Sequence, residues 1–129
     1  VLKNNSSLFT VVMLHHPVLS NKTSWNNASI RLMMEPILSQ YPVDLVLQGH
    51  EHGYARNSKK DKSGTSKLPI YVTSHLSKKF YPSFKATKIT DAIIPNTALF
   101  QHIKVDNNIL TLYSYTLQGE KVDSVSIVK

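Results

Sequence analysis

The sequence has 129 residues, enough for one domain that buries about two-thirds of its unfolded surface. It is 41% hydrophobic with 4 Gly and 6 Pro, which excludes a disordered or fibrous chain; with no Cys it holds neither a disulfide framework nor a thiolate metal site. Net charge is +7, and nine of the 15 basic residues fall between Arg56 and Lys88, where Asp61 is the only acid. Such a segment reads as a lysine-rich solvated loop or as a positive rim for anionic substrates. No aromatic or groove-reading element stands in register with the charge, so no nucleic-acid partner is expected.

No apolar run approaches the roughly 18 residues of a membrane span, and no signal peptide is visible. The chain starts at Val1 instead of Met, so we expect a processed chain or one cut from something longer.

In chain order, LFTVVML (8–14) is almost continuously apolar and β-branched, which predicts a strand buried on both faces and ended by His15, His16 and Pro17. A polar stretch follows, in which Thr23 to Trp25 precede a helical pattern. Ile30, Met33, Met34, Ile37, Leu38 and Tyr41 fall on one helix face, so the methionines are expected in the core. Pro36 conflicts with that helix and predicts a kink or break near Met34–Glu35. DLVLQ (44–48) reads as a second buried strand, giving a right-handed βαβ unit with parallel strands. Residues 56–68 read as a charged loop, 69–74 as a strand and 75–97 as irregular. From Ala98 the alternation returns, and two turn signals, Asp106-Asn107-Asn108 and Gln118-Gly119, predict an antiparallel three-stranded meander over 98–128.

The cluster Gly49-His50-Glu51-His52 follows the second strand. In an open α/β sheet, ligands bind beyond the carboxyl ends of the strands. His15 ends the first strand, and neighbouring strands lie about 4.8 Å apart, so the three histidines are expected to meet at one sheet edge. Gly49, without a Cβ, would let the chain turn there, with Glu51 pointing away. Imidazole is the commonest protein metal ligand near neutral pH. A lone His-x-His is more often surface decoration; its place at a buried strand end, with a third histidine alongside, points to metal.

The segments VVMLHHPV, SIRLMME and VDLVLQGHEHGYAR, with Gly49, His50, His52, Tyr54 and Arg56 in a Gly-His-x-His-x-Tyr-x-Arg pattern, resemble the calcineurin-like metallophosphoesterases, and their purple-acid-phosphatase branch most. The resemblance implies the C-terminal half of an α/β/β/α sandwich: a βαβ unit followed by a β-meander. It is specific over about residues 9–56 and weaker over the later strands, and it implies that residues 1–129 are the C-terminal portion of a catalytic domain whose N-terminal half is absent. It implies hydrolysis of phosphate esters at a two-metal site of Fe, Zn, Mn or Mg, and a secreted, periplasmic or cell-surface protein. His15 and His50 would bind one metal and His52 the other. His16 holds a position the family does not require for metal; with Tyr54 and Arg56 it is a candidate to stand behind the ligands. His75 and Lys78 are candidates to line the pocket, and Lys59 and Lys79 candidates to steer phosphate. The outer histidine that purple acid phosphatases carry before the helix has no counterpart, since Thr23 to Trp25 stand there.

Two metal ions about 3.5–4 Å apart repel strongly, and three neutral imidazoles cannot offset their charge. None of the eight acids ends a buried strand beside His15 or His50, and the family's Asp-x-His, Gly-Asp-x-x-Asp and Gly-Asn-His-Asp/Glu motifs do not occur. We therefore expect the chain to donate nitrogen ligands to a centre whose carboxylates come from a missing N-terminal half, and to be inactive alone. Two alternatives stay open: a mononuclear three-histidine zinc site, and a non-catalytic binding module that keeps the fold.

Overall fold

The first strand is short. In the computed structural model, which describes residues 1–22 and 27–129, β1 spans only Val11–Leu14 and pairs on one side, with β2 (Leu45–Gln48), in parallel. The chain joins them through α1 (Ala28–Gln40), completing the expected βαβ unit. β1 is thus an edge strand, half-buried instead of covered on both faces: Val12 and Leu14 pack toward the helix layer, while Met13 stays 77% exposed. Continuous apolarity misled because this edge carries apolar residues on a face that nothing in the described chain covers.

α1 runs through Pro36 without a break. Pro36 is exposed, so the carbonyl it leaves without an N–H partner one turn back faces the solvent side and can be hydrated. The apolar stripe is only partly core. Leu38 is buried and Ile30, Met34 and Tyr41 pack beside it, whereas Met33 and Ile37 are exposed. The helix lies on the sheet by one edge of its apolar face.

The expected loop at 56–68 is a hairpin. β3 (Tyr54–Lys60) and β4 (Ser66–Thr73) pair antiparallel, and the Asp61 carboxylate closes the turn by accepting hydrogen bonds from Ser63 N and Thr65 N, both at 2.9 Å. β5 (Thr90–Ile94) lies inside the stretch expected to be irregular and pairs with β3. The first sheet therefore runs β1-β2-β4-β3-β5. β6 (Leu99–Asp106), β7 (Ile109–Thr116) and β8 (Lys121–Val128) form the expected meander as a second sheet.

The layers follow from which side chains point where. Leu45, Tyr54, Ile70 and Val72 of the first sheet pack against Leu99, Leu110, Leu112 and Ile127 of the second. On the opposite face Val46 and Tyr71 meet Leu38 of α1 with Val18, Leu19 and Val43. A βαβ-bearing sheet thus sits between a helix and an antiparallel sheet. The carboxyl ends of β1, β2 and β4 open together at one end of this sandwich.

Candidate metal centre

Just beyond β1 and β2, one ring nitrogen each from His15, His16 and His50 lie within 4.8 Å of one another. The ring centroids are 5.0 Å apart for His15–His16, 5.3 Å for His15–His50 and 4.3 Å for His16–His50. The backbone sets this proximity: Gly49 N donates to His15 O at 3.0 Å, continuing the Leu14↔Gln48 register. His15 and His50 meet at the sheet edge as the strand argument expects. His16 joins them because the chain bends immediately after β1, so adjacent residues no longer alternate faces.

The turn itself differs from expectation. A Cβ on Gly49 would meet only ordinary contacts, the nearest His15 O at 3.5 Å, and the left-handed residue is His50, with φ 66°. Gly53 is the glycine that packing requires: a Cβ there would stand 2.7 Å from the Phe84 ring.

Gln48 positions the loop that carries the histidines. Its Nε2 donates to Leu19 O at 2.7 Å and to Thr73 Oγ1 at 2.8 Å, and its Oε1 accepts from Val18 N at 3.0 Å. One buried amide thus ties the segment after His16 to β2 and β4. Sequence reasoning passed over it; the only signal was a polar residue closing an apolar strand. Glu51 is buried on the far side, where Ser20 Oγ and Asn21 N donate to its carboxylate. Burial raises its pKa despite those bonds. For His50, burial first, then the neighbouring His16, His15, Lys22 and His52 charges, lowers the pKa and keeps the ring neutral, the form that ligates metal.

His52 is not brought into the three-imidazole group. Its ring stacks on His75 at 5.3 Å and 10°, and its Nδ1 lies 2.9 Å from Lys79 O. A carbonyl only accepts, so Nδ1 carries a proton, the second-hydrogen-bond arrangement found behind metal-bound histidines. His75 lines a cavity of about 430 Å³ between the sheets, walled by Met13, Leu47, Val72, Leu99 and Phe100. Both its ring nitrogens are buried, with the Ser77 backbone beside the ring. Burial, then the His52 charge, lowers its pKa. Lys78 is exposed and is not among the residues lining that cavity.

Tyr54 and Arg56 belong to the junction between the sheets. Tyr54 Oη donates to Asp123 Oδ2 at 2.6 Å and accepts from Ser114 Oγ at 3.0 Å. Arg56 Nε and Nη2 donate to the two Asp123 oxygens at 2.8 and 3.1 Å. Lys59 pairs with Glu35 of α1. The expectation about Thr23 to Trp25 lies outside the described residues.

No protein-family model and no curated protein matches the sequence. Among solved structures, the chain is similar to purple acid phosphatase PPD1 from yellow lupin (Lupinus luteus) seeds, with 18% identity and a TM-score of 0.74 over 93% of this chain. It spans 25% of that protein's length. A single mutant of Vps29 from Entamoeba histolytica aligns with 15% identity over 86% of this chain and 53% of its own; the TM-score of 0.42 carries no argument. The mixed α/β architecture, a parallel-strand sheet backed by an antiparallel one, is the fold that the chain shares with the aligned quarter of that phosphatase.

The donor set has a definite chemistry. Three imidazoles suit zinc or another borderline divalent ion. The group contains no carboxylate, and Asp44 lies at the opposite end of β2, where its Oδ2 accepts from Thr10 N at 2.8 Å. The described residues therefore fit one nitrogen-ligated ion and do not by themselves balance two.

Proposed function

We propose that the chain supplies the histidine donors of a metal-dependent phosphohydrolase that cleaves phosphate esters at a two-metal site, and that the carboxylates come from outside this sequence. The observation that carries the reading is the all-imidazole group of His15, His16 and His50 at the carboxyl ends of two parallel strands, in a fold shared with a phosphatase. His15 and His50 would hold one ion, with His16 within reach of it. His52, with Nδ1 spent on Lys79 O, would offer Nε2 to the second. When bound, the ions polarise the phosphoryl group and acidify an attacking water. The residues of this chain orient: Gln48 fixes the loop beyond β1, and the neutral His50 ring offers its lone pair without first losing a proton.

Calorimetric titration of the whole chain with zinc tests this. We expect binding that weakens at least about tenfold in His15→Ala and in His50→Ala, and background hydrolysis of an aryl phosphate by the chain alone. Unchanged zinc affinity in both variants would remove the donors from the account. Vigorous turnover by the isolated chain would remove the need for outside carboxylates.

A second reading, a mononuclear zinc site, is favoured by the same all-imidazole composition. One tightly held equivalent of zinc with turnover by the chain alone would select it.

A further inference from the structure

Residues 75–81 do more than lead from β4 toward β5: they close on the ring of His52. The His75 ring stacks on it, with centroids 5.3 Å apart and planes 10° from parallel. The Tyr81 ring approaches it to 4.9 Å at 38°. Between those two positions in the chain, Lys79 O accepts from His52 Nδ1 at 2.9 Å. One imidazole thus meets two rings and one carbonyl, all from a single short stretch.

The stretch is anchored at both ends. At its start, Ser74 N donates to Gln48 O and Ser74 Oγ to Leu99 O, both at 3.1 Å, while Leu99 N donates to His75 O at 3.1 Å. His75 is thereby tied to β2 and β6, and the Phe80 ring stands across it at 5.4 Å and 81°. In the middle, Lys79 N donates to Ser77 Oγ at 3.0 Å, which holds the bend that carries the Lys79 carbonyl. At its end, Phe84 N donates to Tyr81 O at 3.1 Å, and the Phe84 ring packs on Gly53, the residue after His52. The two rings and the carbonyl are therefore held in place by contacts that do not involve the His52 side chain.

We propose that His75, Tyr81 and the Lys79 carbonyl form a bracket that fixes the His52 ring in one orientation and one tautomer, and that His75 is a positioning residue for this donor. The proposal rests on the phosphohydrolase reading, in which His52 serves the second ion. The ring torsion of a histidine is broad and roughly two-fold, so either nitrogen can turn to a given partner. The His75 stack holds the ring plane, and the Lys79 carbonyl then selects the nitrogen that faces it. Nε2 is left on the far side of the ring. Loss of a partner that orients a ligating histidine costs about 10–100-fold in metal affinity. The bracket also accounts for the separation of His52 from the His15, His16 and His50 group: its ring is committed to residues 75–81 instead.

Long-range proton–nitrogen NMR spectra of the whole metal-free chain, at about pH 8.5 where an ordinary imidazole is neutral, show which nitrogen of His52 carries the proton. A free histidine prefers Nε2–H; in the parent chain we expect the Nδ1–H form of His52 to predominate several-fold. The preference should be lost in His75→Ala and return in His75→Phe, which keeps a ring to stack on. Tyr81→Leu should weaken it too, and carries the test if His75→Ala does not fold. A His52 tautomer indifferent to these substitutions overturns the bracket, and so does a His75→Phe chain that behaves as His75→Ala does. Zinc titration of the parent chain separates this outcome from the metal reading. Zinc binding with an indifferent tautomer sinks the bracket alone. Absence of zinc binding with a ring-dependent tautomer sinks the metal reading and leaves the bracket standing.

Discussion

His50 holds a φ of 66°, a left-handed conformation that costs a residue with a Cβ about 1–2 kcal/mol. The fold tolerates this where the ring joins His15 and His16. His50→Gly removes both the strain and the donor, so we expect urea unfolding to show equal or higher stability while zinc affinity falls. Gln48 makes the opposite case. In Gln48→Glu an acceptor replaces the Nε2 that donates to Leu19 O and Thr73 Oγ1, leaving buried oxygens facing each other. We expect a loss of about 2–3 kcal/mol in chemical denaturation, together with weaker zinc uptake as the His15–His16 bend loosens. Gly53→Ala drives a methyl group into the Phe84 ring; overpacking of this kind costs about 1–3 kcal/mol. The same variant should disturb the turn that Phe84 N closes onto Tyr81 O, which NMR would show as shifts around residues 52–54 and 81–84. His15 and His50 were legible because strand ends in a parallel pair must coincide. His16 was not, because strict alternation fails once the chain leaves the strand.

Elements that the sequence concealed are held by polar side chains. β3 has buried Asn57 and Ser58 where a hydrophobic pattern would place apolar residues. Asn57 donates to Asn21 Oδ1 at 2.6 Å and accepts from Thr90 Oγ1 at 2.8 Å, and Ser58 Oγ donates to Asp91 at 2.6 Å. These bonds satisfy the groups inside the fold, so β3 and β5 exist without the period-two signal that revealed the meander. At the junction of the two sheets, burial opposes the charge of Asp123, but the Arg56 and Tyr54 hydrogen bonds outweigh it and hold the carboxyl below the usual range. A depressed carboxyl stabilises the fold above its unfolded pKa, and this is lost as pH falls through the folded one. The loss therefore falls below about pH 4. We expect Asp123→Asn to lower stability at pH 7 by about 2 kcal/mol and to flatten the acid limb of the denaturation profile. An unchanged acid limb would mean that Asp123 does not set it.

Across the whole molecule the acids are mostly consumed by structure. Glu35 pairs with Arg31 and Lys59, Asp91 with Lys60, Asp123 with Arg56, and Lys129 Nζ lies 2.5 Å from Asp44 Oδ1. The net charge of +7 is thus expressed by lysines outside these pairs, several of them in residues 78–88. The charge run was visible in the sequence, but which lysines were already committed to carboxylates was not, since that depends on strands pairing far along the chain.

The Leu14↔Gln48 register also couples the sheet to any ion held at its edge. His15 and His50 are brought together only by that pairing, so the unfolded chain offers no comparable trio. An ion present at about 100 times its dissociation constant would then raise the unfolding free energy by about 2.7 kcal/mol. Heat resistance in the presence of zinc would thus report on whether these two strands have zipped.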